Sequence, residues 1–124
     1  MKVTGINPTI ITSKYDDAVK LFESLGFEIR HHSDNIDERV PVSTRLKNKD
    51  GFIIDINKSD NFPGDIVLIR INVDDFDEAY KMFKERGFKN VSDGDATVDV
   101  PHFKGAHMVS PSGFNIMLMQ HIRK

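Results

Sequence analysis

A stretch of fourteen residues occurs twice in this chain of 124. The run Tyr15-Asp16-Asp17-Ala18-Val19-Lys20-Leu21-Phe22-Glu23-Ser24-Leu25-Gly26-Phe27-Glu28 lies without a gap over the run from Phe76 to Lys89, at an offset of 61 residues and with identity at six of the fourteen positions. Exchanges at Tyr15/Phe76, Asp17/Glu78 and Leu21/Met82 are conservative. A second match resumes downstream, where Lys49 to Ile56 lies over Pro111 to Leu118 at an offset of 62. A chain that repeats itself at this distance builds one supersecondary unit twice, and every fold without that duplication drops out.

The matched residues fall where helix geometry puts them. Ala18, Phe22 and Leu25, and in the second copy Ala79 and Phe83, recur at spacings of four and three, predicting one apolar stripe per helix. Ser13 stands three residues before Asp16 and Asp74 three before Asp77, predicting N-caps at Ser13 and Asp74. Gly26 and Gly87 supply the left-handed residue that ends each helix. A β-branched strand precedes each helix, Thr9 to Thr12 and Ile66 to Val73, and a glycine-containing turn precedes each last strand. Weaker strands are expected over Glu28 to His32 with Ser43 to Lys47, and Lys89 to Val91 with Ala106 to Ser110. Each copy then reads βαβββ: module one over about 5–58, a Pro63-Gly64 linker over about 59–65, and module two over about 66–120, all within one domain spanning 1–124. Ser33 to Pro41 and Ser92 to Gly105 read as long solvated loops.

The length suffices for one core without staples, and the absence of cysteine removes disulfides, thiolate zinc sites and cysteine nucleophiles. No secretory leader or membrane-length apolar run is read in the sequence, so a cytoplasmic protein is expected. Seventeen basic against nineteen acidic residues, interspersed, give a formal charge of −2, which argues against binding to nucleic acid or to a membrane surface. No nucleophile elbow, phosphate-cradling loop or dinucleotide fingerprint is present, so the catalytic residues stay unknown.

Paired βαβββ modules, each with a Gly-Phe helix end, together with the Asn72-Val73-Asp74-Asp75 entry to the second helix and the turn Ser110-Pro111-Ser112-Gly113, resemble the vicinal oxygen chelate superfamily of glyoxalase I, extradiol dioxygenases and bleomycin-resistance proteins. The resemblance covers Ile6 to about Gln120 and implies an α+β fold, a curved mixed sheet forming a cup with the helices packed outside. In metal-dependent members, ligands come from the first and last strand of each module. The resemblance carries those positions onto Asn7, Asp55, Leu68 and Met117, and the offsets of 61 and 62 relate the same residues in pairs. Leucine cannot coordinate, a thioether is too soft for magnesium, manganese or zinc, and an amide carbonyl is weak alone. Asn7 and Asp55 remain as weak metal candidates, and no metal or other cofactor is expected. His31 and His32 alternate to opposite faces of a strand, and His102, His107 and His121 follow no ligand spacing.

With the orientation that the resemblance implies, alternation places Asn7, Thr9, Ile11, Ile53, Asp55 and Asn57 on the concave face from module one, and Leu68, Arg70, Asn72, Asn115, Met117 and Met119 from module two, with His107 beside them. Amides, one carboxylate, one guanidinium and flexible thioethers suit a small organic ligand. A pairing of Asp55 with Arg70 would instead satisfy the two charges internally. The expectation is a metal-independent protein that binds or sequesters a small molecule and, by the resemblance, forms a homodimer. The competing reading is a lyase or isomerase of the glyoxalase type, metal-dependent through Asp55 or metal-free with Asp55 or His107 as general base. A ferredoxin-like module is disfavoured by the strand-rich stretch between Phe27 and Lys49.

Overall fold

A computed structural model describes residues 1–33, 42–60, 62–92, 97–100 and 103–122. Residues 34–41 of the first expected loop, residues 93–96 and 101–102 of the second, and His102 with them, lie outside the described residues. The elements in chain order are β1 (Val3–Thr12), α1 (Tyr15–Ser24), β2 (Glu28–Ser33), β3 (Ser43–Lys47), β4 (Ile53–Lys58), β5 (Ile66–Val73), α2 (Phe76–Glu85), β6 (Lys89–Asn90), β7 (Val98–Val100), β8 (Phe103–Val109) and β9 (Asn115–His121). The architecture is α+β, with the βαβββ order twice and β7 as an addition to the second copy. β7 corrects the expectation of an unbroken loop from Ser92 to Gly105: Val98 and Val100 are β-branched and pair with β8.

The chain divides into two compact units, Asn7–Val67, and Leu68–Lys124 together with Met1–Ile6. In the first, the strands run in the order β2-β3-β4-β1, with β1 parallel to β4 and the other pairs antiparallel. In the second, the order is β5-β9-β8-β6 with β7 also on β8, β5 being parallel to β9 and the rest antiparallel. The registers repeat with the sequence. Thr9 stands opposite Asp55 as Arg70 stands opposite Met117, and Arg45 opposite Asp55 as His107 opposite Met117. β1 begins six residues earlier than the sequence pattern suggested, running through Pro8. Proline lacks a ladder donor, and the register with β4 starts only at Thr9, where that donor is no longer missing.

Both helices end on the same device. The Gly26 amide donates to the Glu23 carbonyl and the Phe27 amide to that of Phe22, and Gly87 and Phe88 donate to Lys84 and Phe83 in the same way. This is the Schellman pattern, and its hydrophobic contact is aromatic here, with ring centroids 5.7 Å apart for Phe22 and Phe27 and 4.8 Å for Phe83 and Phe88. The repeated Phe-x-x-x-Gly-Phe is therefore a stop signal. Gly26 and Gly87 hold φ of 95° and 88°, a region where a Cβ is strained. Gly26→Ala is expected to cost about 1 kcal/mol. Gly87→Ala should cost more, because its Cβ would also stand 3.1 Å from Pro111 Cγ, whereas none of the described residues comes within 4 Å of the equivalent atom at Gly26. Urea midpoints of the two variants check the order; equal midpoints would contradict it.

The helix starts differ from the expected caps by one residue. Asp75, extended at φ −143°, caps α2 by accepting from the Glu78 amide, while Asp74 accepts from the Lys2 amide instead. Lys14 is the N-cap of α1 and makes no side-chain cap bond; the Thr12 hydroxyl accepts from its amide. The spacing rule found the right segment, and at α2 the residue that does not cap, Asp74, is bonded to the Lys2 amide. Asp75→Ala should lower stability by about 1 kcal/mol, the usual worth of an N-cap, in a thermal melt.

Each unit has its own core on the helix side of its strands. In the first, Val19, Leu46, Ile54 and Ile56 pack with Tyr15, Ala18, Phe22 and Phe27. In the second, Val73, Phe76, Ala79, Ala106, Met108 and Leu118 pack with Phe83 and Phe88. Leu25, expected within the stripe of α1, is 62% exposed, because it caps the C-terminus rather than lying on the buried face. Among the described residues no helix is long and apolar enough to cross a membrane.

Candidate functional site

Strand alternation sends one set of side chains to the helix and the other set to the opposite face. In the first unit the helix takes Ile10, Leu46, Ile54 and Ile56, so Asn7, Thr9 and Ile11 of β1, Arg45 of β3, and Ile53, Asp55 and Asn57 of β4 share the other face. Asp55 lies at its centre, 1% exposed. Its Oδ1 accepts from Arg45 Nε at 2.8 Å, and its Oδ2 accepts from Arg45 Nη2 at 3.4 Å and from Asn7 Nδ2 at 3.2 Å. The pairing is side-on, two guanidinium donors against two carboxylate oxygens, the geometry that fixes both side chains at once. Thr9 and Asn57 are buried beside it, and among the described residues Thr9 Oγ1 and Asn57 Oδ1 are enclosed without a hydrogen-bond partner.

In the second unit α2 covers Ile71, Val73, Ala106, Met108 and Leu118, which leaves Leu68, Arg70 and Asn72 of β5, Asn115, Met117 and Met119 of β9, and His107 of β8 on the other face. Arg70 Nε donates to Asn72 Oδ1 at 3.3 Å, and Nη2 donates to His121 Nε2 at 2.8 Å. A guanidinium can only donate, so His121 Nε2 is the accepting nitrogen. His107 Nε2 lies 2.9 Å from Asn115 Oδ1, and since a carbonyl oxygen only accepts, Nε2 is the donor in that bond. Leu68 is buried, and Met119 is buried with its sulfur over β8 at Gly105, where a Cβ would stand 2.6 Å from it.

All eleven residues marked out in the sequence thus lie on the non-helical face of their own unit, Asn7, Thr9, Asp55 and Asn57 in one and the other seven in the other. Sequence reasoning missed Arg45, the ion-pair partner that the structure gives Asp55, having considered Arg70 for that part. The repeat contained the signal: at the offset of 62, Arg45 is the counterpart of His107, which was singled out. His121 was likewise set aside, yet bonds Arg70. His31 and His32 do lie on opposite faces, opposite Arg45 and Thr44 respectively.

The donors do not fit the divalent ion that the resemblance implies. In the first unit, the carboxylate that would serve as ligand is held by a guanidinium and an amide N–H. In the second, the corresponding side chains are a leucine and a thioether. No group of three or more histidine, aspartate or glutamate side chains placed to hold a metal occurs among the described residues.

No protein-family model matches the sequence, and no curated protein matches it either. Solved structures do. Methylmalonyl-CoA epimerase from Mycobacterium tuberculosis superposes with a TM-score of 0.70 at 16% identity, over 98% of this chain and 90% of that one. Glyoxalase I from Zea mays gives 0.69 at 16% identity over 98% of this chain, which spans only 44% of the maize protein. A glyoxalase/bleomycin resistance protein/dioxygenase superfamily member from Vibrio splendidus 12B01 gives 0.59 at 17% identity, over 96% and 99%. At these identities the likeness is one of fold, and it agrees with the duplicated βαβββ order, the paired registers and the twin helix ends: the chain has the fold of the vicinal oxygen chelate superfamily.

Proposed function

We propose that this chain is a metal-independent small-molecule binding protein built on the glyoxalase and bleomycin-resistance scaffold. The observation that carries the reading is the side-on pairing of Arg45 with Asp55 at 2.8 Å. Where the resemblance asks for a carboxylate to meet a metal, this chain supplies its own cation. The Arg45 side chain is a third exposed while that of Asp55 is 2% exposed, so the guanidinium is the part of the pair that meets a ligand. Asn7, Thr9 and Asn57 stand beside it, and Arg70, Asn72, His107, Asn115, Met117 and Met119 line the corresponding face of the second unit, so that each face by itself offers hydrogen bonds, and the second also adaptable apolar surface.

Elemental analysis of protein purified without chelators tests metal independence. Substoichiometric divalent metal is expected, unchanged in Asp55→Ala; one equivalent that Asp55→Ala abolishes would replace this reading by a metal-dependent lyase or isomerase. A metal-free isomerase would rest on Asp55 or on His107, which stands opposite Met117 in the register of β8 on β9. Loss of any turnover in His107→Gln would favour it. A homodimer in the cytoplasm is part of the proposal, and sedimentation velocity reads the number of chains directly.

A further inference from the structure

The two copies differ on their helix side in a way that leaves a place open in one of them. In the second unit, the Tyr80 ring of α2 stacks on Phe76, with centroids 5.6 Å apart and planes 21° from parallel, and its hydroxyl accepts from Asn90 Nδ2 at 3.2 Å. At the offset of 61, the first unit has Tyr15 in place of Phe76, Val19 in place of Tyr80 and Ile29 in place of Asn90. The stacking platform is kept and the stacked ring is missing. An open depression of about 290 Å³ lies there, lined by Tyr15, Val19, Ile29, His32 and Thr44 among others. Its volume is at the small end of ligand pockets, about 300 Å³ and upward.

The polar groups of this depression are organised. Thr44, 1% exposed, takes the position of Ala106 in the second unit, and its hydroxyl bonds both the Tyr15 hydroxyl and His32 Nδ1, the latter at 2.9 Å. The Tyr15 hydroxyl also lies 3.4 Å from His32 Nδ1. The three substitutions Phe→Tyr, Ala→Thr and Tyr→Val, read from the second copy to the first, exchange a self-filled aromatic stack for a hydrogen-bonded trio that, among the described residues, borders an open depression. We propose that this depression binds a small single-ring phenol, its ring on Tyr15 where Tyr80 rests on Phe76 in the other unit and its hydroxyl toward the Tyr15, His32 and Thr44 group. The site is on the helix side of its strands, apart from the face that carries Asp55, and stands independently of the function proposed above.

Titration of uniformly labelled protein with phenol and 4-ethylphenol, followed by amide chemical shifts, tests it, with cyclohexanol as the non-aromatic control. Saturable shifts centred on Val19, Ile29 and Thr44 are expected for the phenols, with cyclohexanol weaker by about fivefold, because stacking adds roughly 1 kcal/mol beyond area. Val19→Tyr restores the missing ring. It should abolish the shifts and leave the melting temperature unchanged or raised. Absence of shifts at these residues, equal response to cyclohexanol, or a melting temperature lowered by more than about 5 °C in Val19→Tyr would each overturn the proposal, the last by showing that no room for the ring exists.

Discussion

Arg45→Met is expected to destabilise the protein by about 3 kcal/mol, the usual cost of removing one partner from a buried charge pair. The cost arises at the carboxylate. With its side chain 2% exposed, Asp55 would stay buried after losing the two hydrogen bonds and the charge of the guanidinium now 2.8 Å from it. Asp55→Asn should cost less. The Arg45 side chain, a third exposed, can turn its charge to water when its partner is neutralised. The double variant Asp55→Asn with Arg45→Met should recover most of the loss, since a buried pair is often no better than neutral groups of similar size. Urea denaturation of the three variants at neutral pH reads the asymmetry. Equal losses for the two single variants would show that Asp55 is not the enclosed member of the pair.

Ile56→Ala and Leu118→Ala should each cost about 3 kcal/mol, within the range for emptying a fully enclosed aliphatic position. Both side chains are 0% exposed, Ile56 in the core beneath α1 and Leu118 in the core beneath α2, and they are counterparts at the offset of 62. Their comparison asks whether the two cores are energetically equivalent. Hydrogen exchange of each variant adds the spatial reading: amides of β3 and β4 should lose protection in Ile56→Ala, and those of β8 and β9 in Leu118→Ala. Protection lost uniformly in both variants would instead mean that the two cores open as one.

Much of the architecture was legible because its determinants are local. A Gly-Phe pair closing an amphipathic run specifies a Schellman end from six consecutive residues, and both copies carry it. The hairpins before β4 and β9 were visible in the same way. Asn48 and Ser110, counterparts at the offset of 62, anchor them by accepting from the Phe52 and Phe114 amides. Less legible were features settled by competition between neighbours. Asp74 and Asp75 are equally good caps by composition, and the choice went to Asp75 because Asp74 is engaged by the Lys2 amide, 72 residues away in sequence.

The site divides along the same line. Alternation and the two offsets set from sequence which of the eleven residues lie together on one face of their unit, because a strand's side-chain period is two and duplicated strands keep their register, and the resemblance supplied which face that is. The resemblance carried the metal-ligand positions onto Asn7, Asp55, Leu68 and Met117, and the two offsets relate those residues in pairs. What Asp55 bonds was decided only in the tertiary structure, where the antiparallel register of β3 on β4 sets Arg45 directly opposite it. That pairing depends on where two strands stop sliding past each other, a balance of packing across the whole unit that no short stretch of sequence contains.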